Sequence, residues 1–387
     1  MSFKTRLLVL LISTPLVLFV GVGGLLSATP TGGGTQQAFA DLRLFGQVVN
    51  LILTSYVEPV DVDKVMDGAM RGLADGLDPS SAYLLPEEMQ AIEAGTPLPP
   101  AGVGLVVTRQ VWLRIVGVED GSPAALAGLR TGDYIRMIDG KPAREMSALT
   151  GTRLLRGTAG SSVRLLVLRS SAADPHEVTL VRATSTGDVV TSKKLPGGET
   201  YIRIARFTHD VPAAIKKIAD EAQGSSGLVI DIRGTADGAP ADGIAAARLF
   251  LKSGTIATLA GRADNKTVTM AGPGDGAVAA PAVLLVSSGT ANAAEVFAAA
   301  LQANSRASLV GEPTGGIAGV QRLVKLPDNR AFWMTTQRYV LPDGTPIHER
   351  GLRPNVAVEQ PVVPFGEAPP TTDAALAKAV EQLKVKK

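Results

Sequence analysis

The chain contains no cysteine, which removes disulfides, thiolate metal sites and cysteine nucleophiles together. Histidine is nearly as scarce. His176, His209 and His348 are the only three, and no two share a ligand-like spacing, so a zinc hydrolase is excluded and neither a metal nor a cofactor is expected. Charge of one sign is also lacking: 38 Lys+Arg against 36 Asp+Glu leaves 38 − 36 = +2. With 19% charged residues and no long basic run, nucleic acid is not the expected partner. Aromatics reach only 4%. What is present is glycine and proline, 42 and 25 of 387 residues, the mark of a turn-rich chain. An apolar content of 45% makes it globular, and its length is enough for two or three domains.

The N-terminus indicates a compartment. Lys4 and Arg6 precede a mostly apolar run from Leu7 to Ala28. A basic start followed by ~20 apolar residues reads as an export signal or a single membrane anchor. The run is long for a cleaved signal, and the small-x-small pair Ala38 and Ala40 lies far downstream, which favours an uncleaved anchor over residues 1–28. Basic residues before it would leave the bulk of the chain outside the inner membrane, on the periplasmic side; cleavage would instead release a secreted protein. Residues 29–40, opening TPTGGGTQQ, read as a flexible tether.

The remainder predicts a mixed α/β protein. Residues 41–100 are helical by the 3/4 spacing of Leu42, Phe45, Val48, Val49 and Ile52, and of Val65, Ala69, Met70 and Leu73. Glu87 and Glu88 fall at a helix start, where the dipole explains paired acids without catalysis. From 101 to 183 short β-branched strands alternate with glycine turns. Gly102-Val103-Gly104-Leu105, the phrase GSPAALAGLRTGDYIRMIDGKPA and a short helix near Ser147–Leu155 resemble a PDZ domain. Such a domain captures peptides: loop N–H groups hold a terminal carboxylate while an edge strand extends the sheet. Gly102, Val103, Gly104 and Leu105 are the predicted peptide-binding residues. Gly151 inside the groove helix is unexpected, since it weakens a helix by up to ~1 kcal/mol relative to Ala. Over 184–366, apolar strands such as Gly227–Ile232 and Ala282–Ser287 alternate with helices such as Val211–Gln223 and Ala293–Ala303. That pattern implies a sheet covered on both faces. Residues 367–387 read as an exposed helix or loose tail.

General catalytic motifs are missing. No serine has glycine two before and two after it, and Gly311–Gly316 is followed by Ile317-Ala318, not the Lys-Ser/Thr of a phosphate loop. Several phrases in order nevertheless resemble the carboxy-terminal processing (tail-specific) proteases, which are serine peptidases. They are LRLFGQVVNLILTSYVEPV, GLADGLDPSSAYLLPEEM, GLVIDIRG, VLLVSSGTANAAEVFAAALQ, LVGEPTGGIAGVQ and GLRPNVAVE. The resemblance spans residues 41 to 360 and implies a Ser–Lys dyad, in which a desolvated neutral lysine takes the proton of serine. The family serine lies in the phrase Ser-Ala-Ser-Ala-Ser-Glu, and this chain has Thr290-Ala291-Asn292-Ala293-Ala294-Glu295. Matched at its last serine, the phrase puts Ala294 in the nucleophile's place, with Asn292 as a helix N-cap. Ile317 stands where the family has lysine, while Gln321 matches the assisting glutamine. In the loop implied to approach the oxyanion, which includes Gly234, Gly238 matches the second glycine of the family pair but Asp237 replaces the first, and its charge opposes oxyanion stabilisation.

The expected function is therefore an envelope homologue that has lost catalysis and binds unstructured protein C-termini, with a homodimer implied by the family. Extended chain could also lie in a vacant cleft beside Ala294. Two rivals stand beside it. One is an active serine-type endopeptidase with a relocated nucleophile at Ser287, Ser288 or Thr290, with Lys325 or Glu295 as the nearest base or acid. The other is a purely structural protein.

Overall fold

A computed structural model describes residues 34–93, 98–169, 174–222, 224–263, 265–368 and 370–385. The predicted anchor, residues 1–28, lies outside them. Among the described residues no helix is long and apolar enough to cross a membrane. The chain divides into two units, residues 1–68 and 69–387. In the first, helix α1 spans Gly34–Ser55, so the last seven residues of the predicted tether are helical. Its apolar side chains, among them Phe39, Leu42 and Leu51, are exposed. Helix α2 follows over Val62–Asp75.

The second unit opens with strand β1 (Ala82–Leu84) and helix α3 (Pro86–Glu93). Pro86 fits the first turn of α3, and Glu88 accepts the Leu85 N–H at 3.0 Å, a capping role for one of the paired acids.

The PDZ region follows: β2 (Leu105–Arg109), β3 (Leu113–Val118), β4 (Tyr134–Ile138), helix α4 (Ala148–Leu155), β5 (Ser162–Leu168) and β6 (His176–Val181). The strands form one sheet in the order β2-β3-β4-β5-β6, leaving β2 as an open edge beside α4. Val163, Leu165 and Val167 alternate inward from β5 into a core shared with Leu113, Ile115, Ile135 and Ile138. Gly151 has a packing reason. A Cβ there would lie 2.4 Å from Leu113 Cδ1, so glycine lets the groove helix sit directly on the sheet.

The larger region contains β7 (Val190–Lys194), β8 (Thr200–Ile204), α5 (Val211–Glu221), β9 (Leu228–Asp231), α6 (Pro240–Arg248), β10 (Thr255–Gly261), β11 (Lys266–Met270), β12 (Ala282–Val286), α7 (Ala293–Ala303), β13 (Ala307–Gly311), β14 (Gly319–Lys325), β15 (Ala331–Val340), β16 (Val356–Ala357) and α8 (Ala374–Val385). Its main sheet runs β7-β8-β9-β12-β13-β16, parallel from β8 to β16 with β7 antiparallel at the edge. Residues of α5, α6 and α7 cover one face. The other face is covered by α8, whose Ala375, Ala379 and Leu383 are buried against Val229, Val283 and Leu285. The end of the chain is thus a packed helix, not the exposed or loose tail its sequence suggested; the four-residue spacing of those side chains makes one apolar stripe.

The segment before α8 leaves this sheet and crosses the PDZ region. Phe365 stacks on His176 with ring centroids 4.6 Å apart, and Arg169 lies over the same ring at 5.0 Å. Arg169 is itself buried in a bidentate pair with Asp133 and donates to the Val363 carbonyl at 3.1 Å. Asp373 then caps α8 through the Leu376 N–H at 2.9 Å and pairs with Arg233 at 2.8 Å. The PDZ region is strapped to the α/β region by this return of the chain.

Candidate active site and peptide groove

The site sits where β12 ends and α7 begins, the carboxyl edge of a parallel sheet, where functional loops gather. Of the three serine positions in the family phrase, two point away from any cleft. Thr290 is fully buried, and its hydroxyl donates to the Ile232 carbonyl at 2.8 Å while accepting the Ser287 N–H at 3.1 Å. Ala294 is also fully buried, inside the core that packs α7 onto the sheet. The middle position, Asn292, differs. It is partly exposed, and its backbone is held at φ 51°, ψ −121°, outside the usual wells even for an asparagine at positive φ. Its N–H donates to the Ile317 carbonyl at 3.0 Å. Asn292 thus combines strain at a strand-to-helix corner, contact with Ile317 and partial exposure, whereas Ala294, the position read as the nucleophile's, lies in the core. Asn292 holds the N-cap position of α7 as expected, but its side chain makes no capping bond; Nδ2 instead donates to the Ala236 carbonyl at 2.7 Å.

Ile317 packs with Val106, Val116, Ala236 and Ala291 in a small apolar cluster. Val106 and Val116 come from the PDZ strands. The backbones approach closely as well. A Cβ on Gly117 would lie 2.8 Å from Ala236 Cβ, and one on Gly289 would lie 2.7 Å from the Val116 carbonyl oxygen. A lysine placed here would set its side chain among apolar neighbours, which disfavours its charged form.

Glu295 is fully buried one residue beyond Ala294. One carboxylate oxygen accepts the Gly316 N–H at 2.8 Å and the Thr314 hydroxyl, and the other accepts the Ile317 N–H at 2.7 Å. Burial pushes its carboxyl up to about 7 even though these donors and the nearby His348 oppose the rise. Glu295 therefore braces the loop that carries Ile317, and its acceptor sites are already engaged by that loop.

Gln321 Nε2 donates to Thr335 Oγ1 at 3.0 Å, and that hydroxyl donates to Asp78 Oδ1 at 3.1 Å. Burial works to raise the Asp78 carboxyl, but His348, Ser81, Ser80 and Thr335 outweigh it and hold it at about 2. His348 Nε2 lies 3.6 Å from Asp78 Oδ1, near enough for charge attraction but beyond a hydrogen bond. This buried Asp78–His348 pair was not read from the sequence, where 270 positions separate the two. The remaining hydroxyl candidates offer little. Ser287 Oγ accepts the Gly234 and Gly289 N–H groups at 3.1 and 3.2 Å, which engages it with the backbone of its own corner. Among the described residues no three His, Asp or Glu side chains are grouped to hold a metal ion.

The groove is intact. A cavity of about 530 Å³ is lined by Gly102–Val106, by Thr152, Leu155 and Arg156 beside α4, and by Gly234, Ala236 and Asp237. Gly104 has φ 77°, and a Cβ there would meet Ser122 Cβ at 2.1 Å, so the loop turn requires glycine. Gly238 has φ 128° and a Cβ would lie 2.6 Å from the Phe207 carbonyl oxygen. Gly102, Val103, Gly104 and Leu105 are therefore brought to one cavity with Gly234 and Asp237.

Comparison with known proteins agrees with this arrangement. The model of peptidase family S41 matches residues 199–358, and a PDZ domain model matches 114–169. A carboxy-terminal-processing protease of Bartonella bacilliformis is 31% identical over 86% of this chain and 78% of its own. The chain belongs to the carboxy-terminal processing protease family. A second member, from Synechocystis sp., is 33% identical over 79% of this chain and 74% of its own. The solved photosystem II D1 C-terminal processing protease superposes with a TM-score of 0.68 at 30% identity, covering 82% of this chain and 87% of that one.

Proposed function

We propose that this family member binds protein C-termini and does not cleave them. The observation that carries this reading is Ile317, packed with Val106, Val116, Ala236 and Ala291 where the family resemblance places the general base. Asn292 at the strained corner cannot attack, and its amide is engaged with the Ala236 carbonyl. Asp237 adds negative charge beside the loop meant to stabilise an oxyanion. Binding, by contrast, keeps what it needs: an open edge strand, a glycine loop and a groove helix. Arg156 stands in the same cavity with no carboxylate partner among the described residues, a counter-charge for the terminus of a peptide. The basic start and apolar run of residues 4–28 support an anchored, periplasmic location, and the exposed apolar face of α1 supports pairing with a second copy.

Titration of the full chain with a fluorescent apolar-ended octapeptide tests this. The free-carboxylate peptide should bind at least tenfold more tightly than its C-terminal amide, and mass spectrometry should recover it uncut.

A further inference from the structure

We infer that the groove selects tails carrying a basic penultimate side chain, read by Asp237 from outside the PDZ region. This rests on the capture reading above. The cavity is composite: one wall is the carboxylate loop and α4, and the other is the loop Gly234–Asp237 together with Ala205 and Arg206. Four charged side chains line it. Arg206 and Glu119 are paired with one another, and Ser185 donates to the same Glu119 oxygen. Arg156 and Asp237 form no ion pair among the described residues, and Arg156 makes only a hydrogen bond to the Pro99 carbonyl at 3.2 Å.

Two unpaired charges of opposite sign in one cavity match a ligand with an anion and a cation close together. A peptide terminus supplies the anion. Along an extended peptide added to β2, side chains alternate: the last and third-from-last enter the groove, and the penultimate one faces the opposite wall. Asp237 is on that wall. Ala236, its neighbour, is packed against Gly117 and Val106, which fixes the loop beside the start of β2. Asp237 itself is exposed, so a lysine or arginine can reach it without burying its charge.

The test uses the full chain and three octapeptides that differ only in Lys, Ala or Glu at the penultimate position. Fluorescence anisotropy should show the Lys peptide binding about threefold to fivefold more tightly than Ala, the scale of a partly exposed ion pair, with Glu weaker than Ala. Asp237→Asn should equalise Lys and Ala, and Asp237→Lys should reverse the order. Among the described residues Asp237 is bonded through its main-chain oxygen alone, which accepts the Phe207 N–H at 3.0 Å, so both variants keep the fold. Equal binding of all three peptides, or a Lys preference that survives in Asp237→Asn, overturns the inference and leaves capture standing. No binding by any peptide overturns both.

Discussion

The peptide groove and the seat of the dyad lie side by side, yet they have different chemical requirements. Groove function depends on backbone shape, and the features that set the shape are present: positive φ at Gly104, contact distance at Gly151, and the free edge of β2. The seat depends on two particular protonation states, and neither Asn292 nor Ile317 can supply one. The strained corner at Asn292 is nevertheless kept, as is the Glu295 brace of the adjoining loop. On the proposed reading, the stereochemistry of an active site persists without its reactive groups because the same backbone also supports packing.

The largest effect expected at the seat is on pH dependence. Glu295 binds its proton near pH 7 when folded, against an ordinary 4.5, so between these values the folded state holds more protons. Stability should then fall as pH rises through that window, by about 3 kcal/mol in total. Glu295→Gln should flatten this slope, as read by chemical denaturation at pH 5, 6, 7 and 8.

Substitutions at the two phrase positions separate core from corner. Ala294→Ser places a hydroxyl in the packed interior and should cost about 2 kcal/mol, while Asn292→Ser should cost about 1 kcal/mol through loss of its single bond to Ala236. Equal costs would mean that Ala294 is not core. Restoring both groups, Asn292→Ser with Ile317→Lys, should lower the melting temperature without producing peptidase activity, because the ammonium enters the apolar contact with Val106 and Val116.

A smaller effect is expected in the groove. Gly151→Ala improves helix propensity by up to ~1 kcal/mol, but its methyl would press on Leu113. We expect net destabilisation of about 1 kcal/mol and weaker peptide binding, measured by denaturation and anisotropy. A stabilised variant would show that α4 does not rest on the sheet through this contact.

Much of this architecture was legible in the sequence. Apolar runs such as Val229–Ile232 and Val283–Val286 announced a doubly covered sheet, and the glycine phrases announced the groove. The match of Ile317 to the family lysine was legible because the flanking Gly311-Glu312 and Val320-Gln321 fix the register. At the serine the phrase offers three evenly spaced positions, Thr290, Asn292 and Ala294, that only backbone dihedrals and burial distinguish. Contacts between distant segments gave no local signal: Phe365 lies in a proline-bearing stretch, and Asp78 meets His348 only after folding. Helix α8 carried a usable signal in Ala375, Ala379 and Leu383, obscured by its terminal position and its alanines. The β10–β11 hairpin was missed because β11, exposed at Lys266, Thr267, Val268 and Met270, offers little apolar alternation.

The most direct test of binding without cleavage is to hold the full chain with a saturating unfolded protein substrate for a day and sequence any new N-termini. None should appear, and the substrate should be recovered intact from its complex. New termini that disappear when Ser287, Ser288 or Thr290 is replaced by alanine would contradict it.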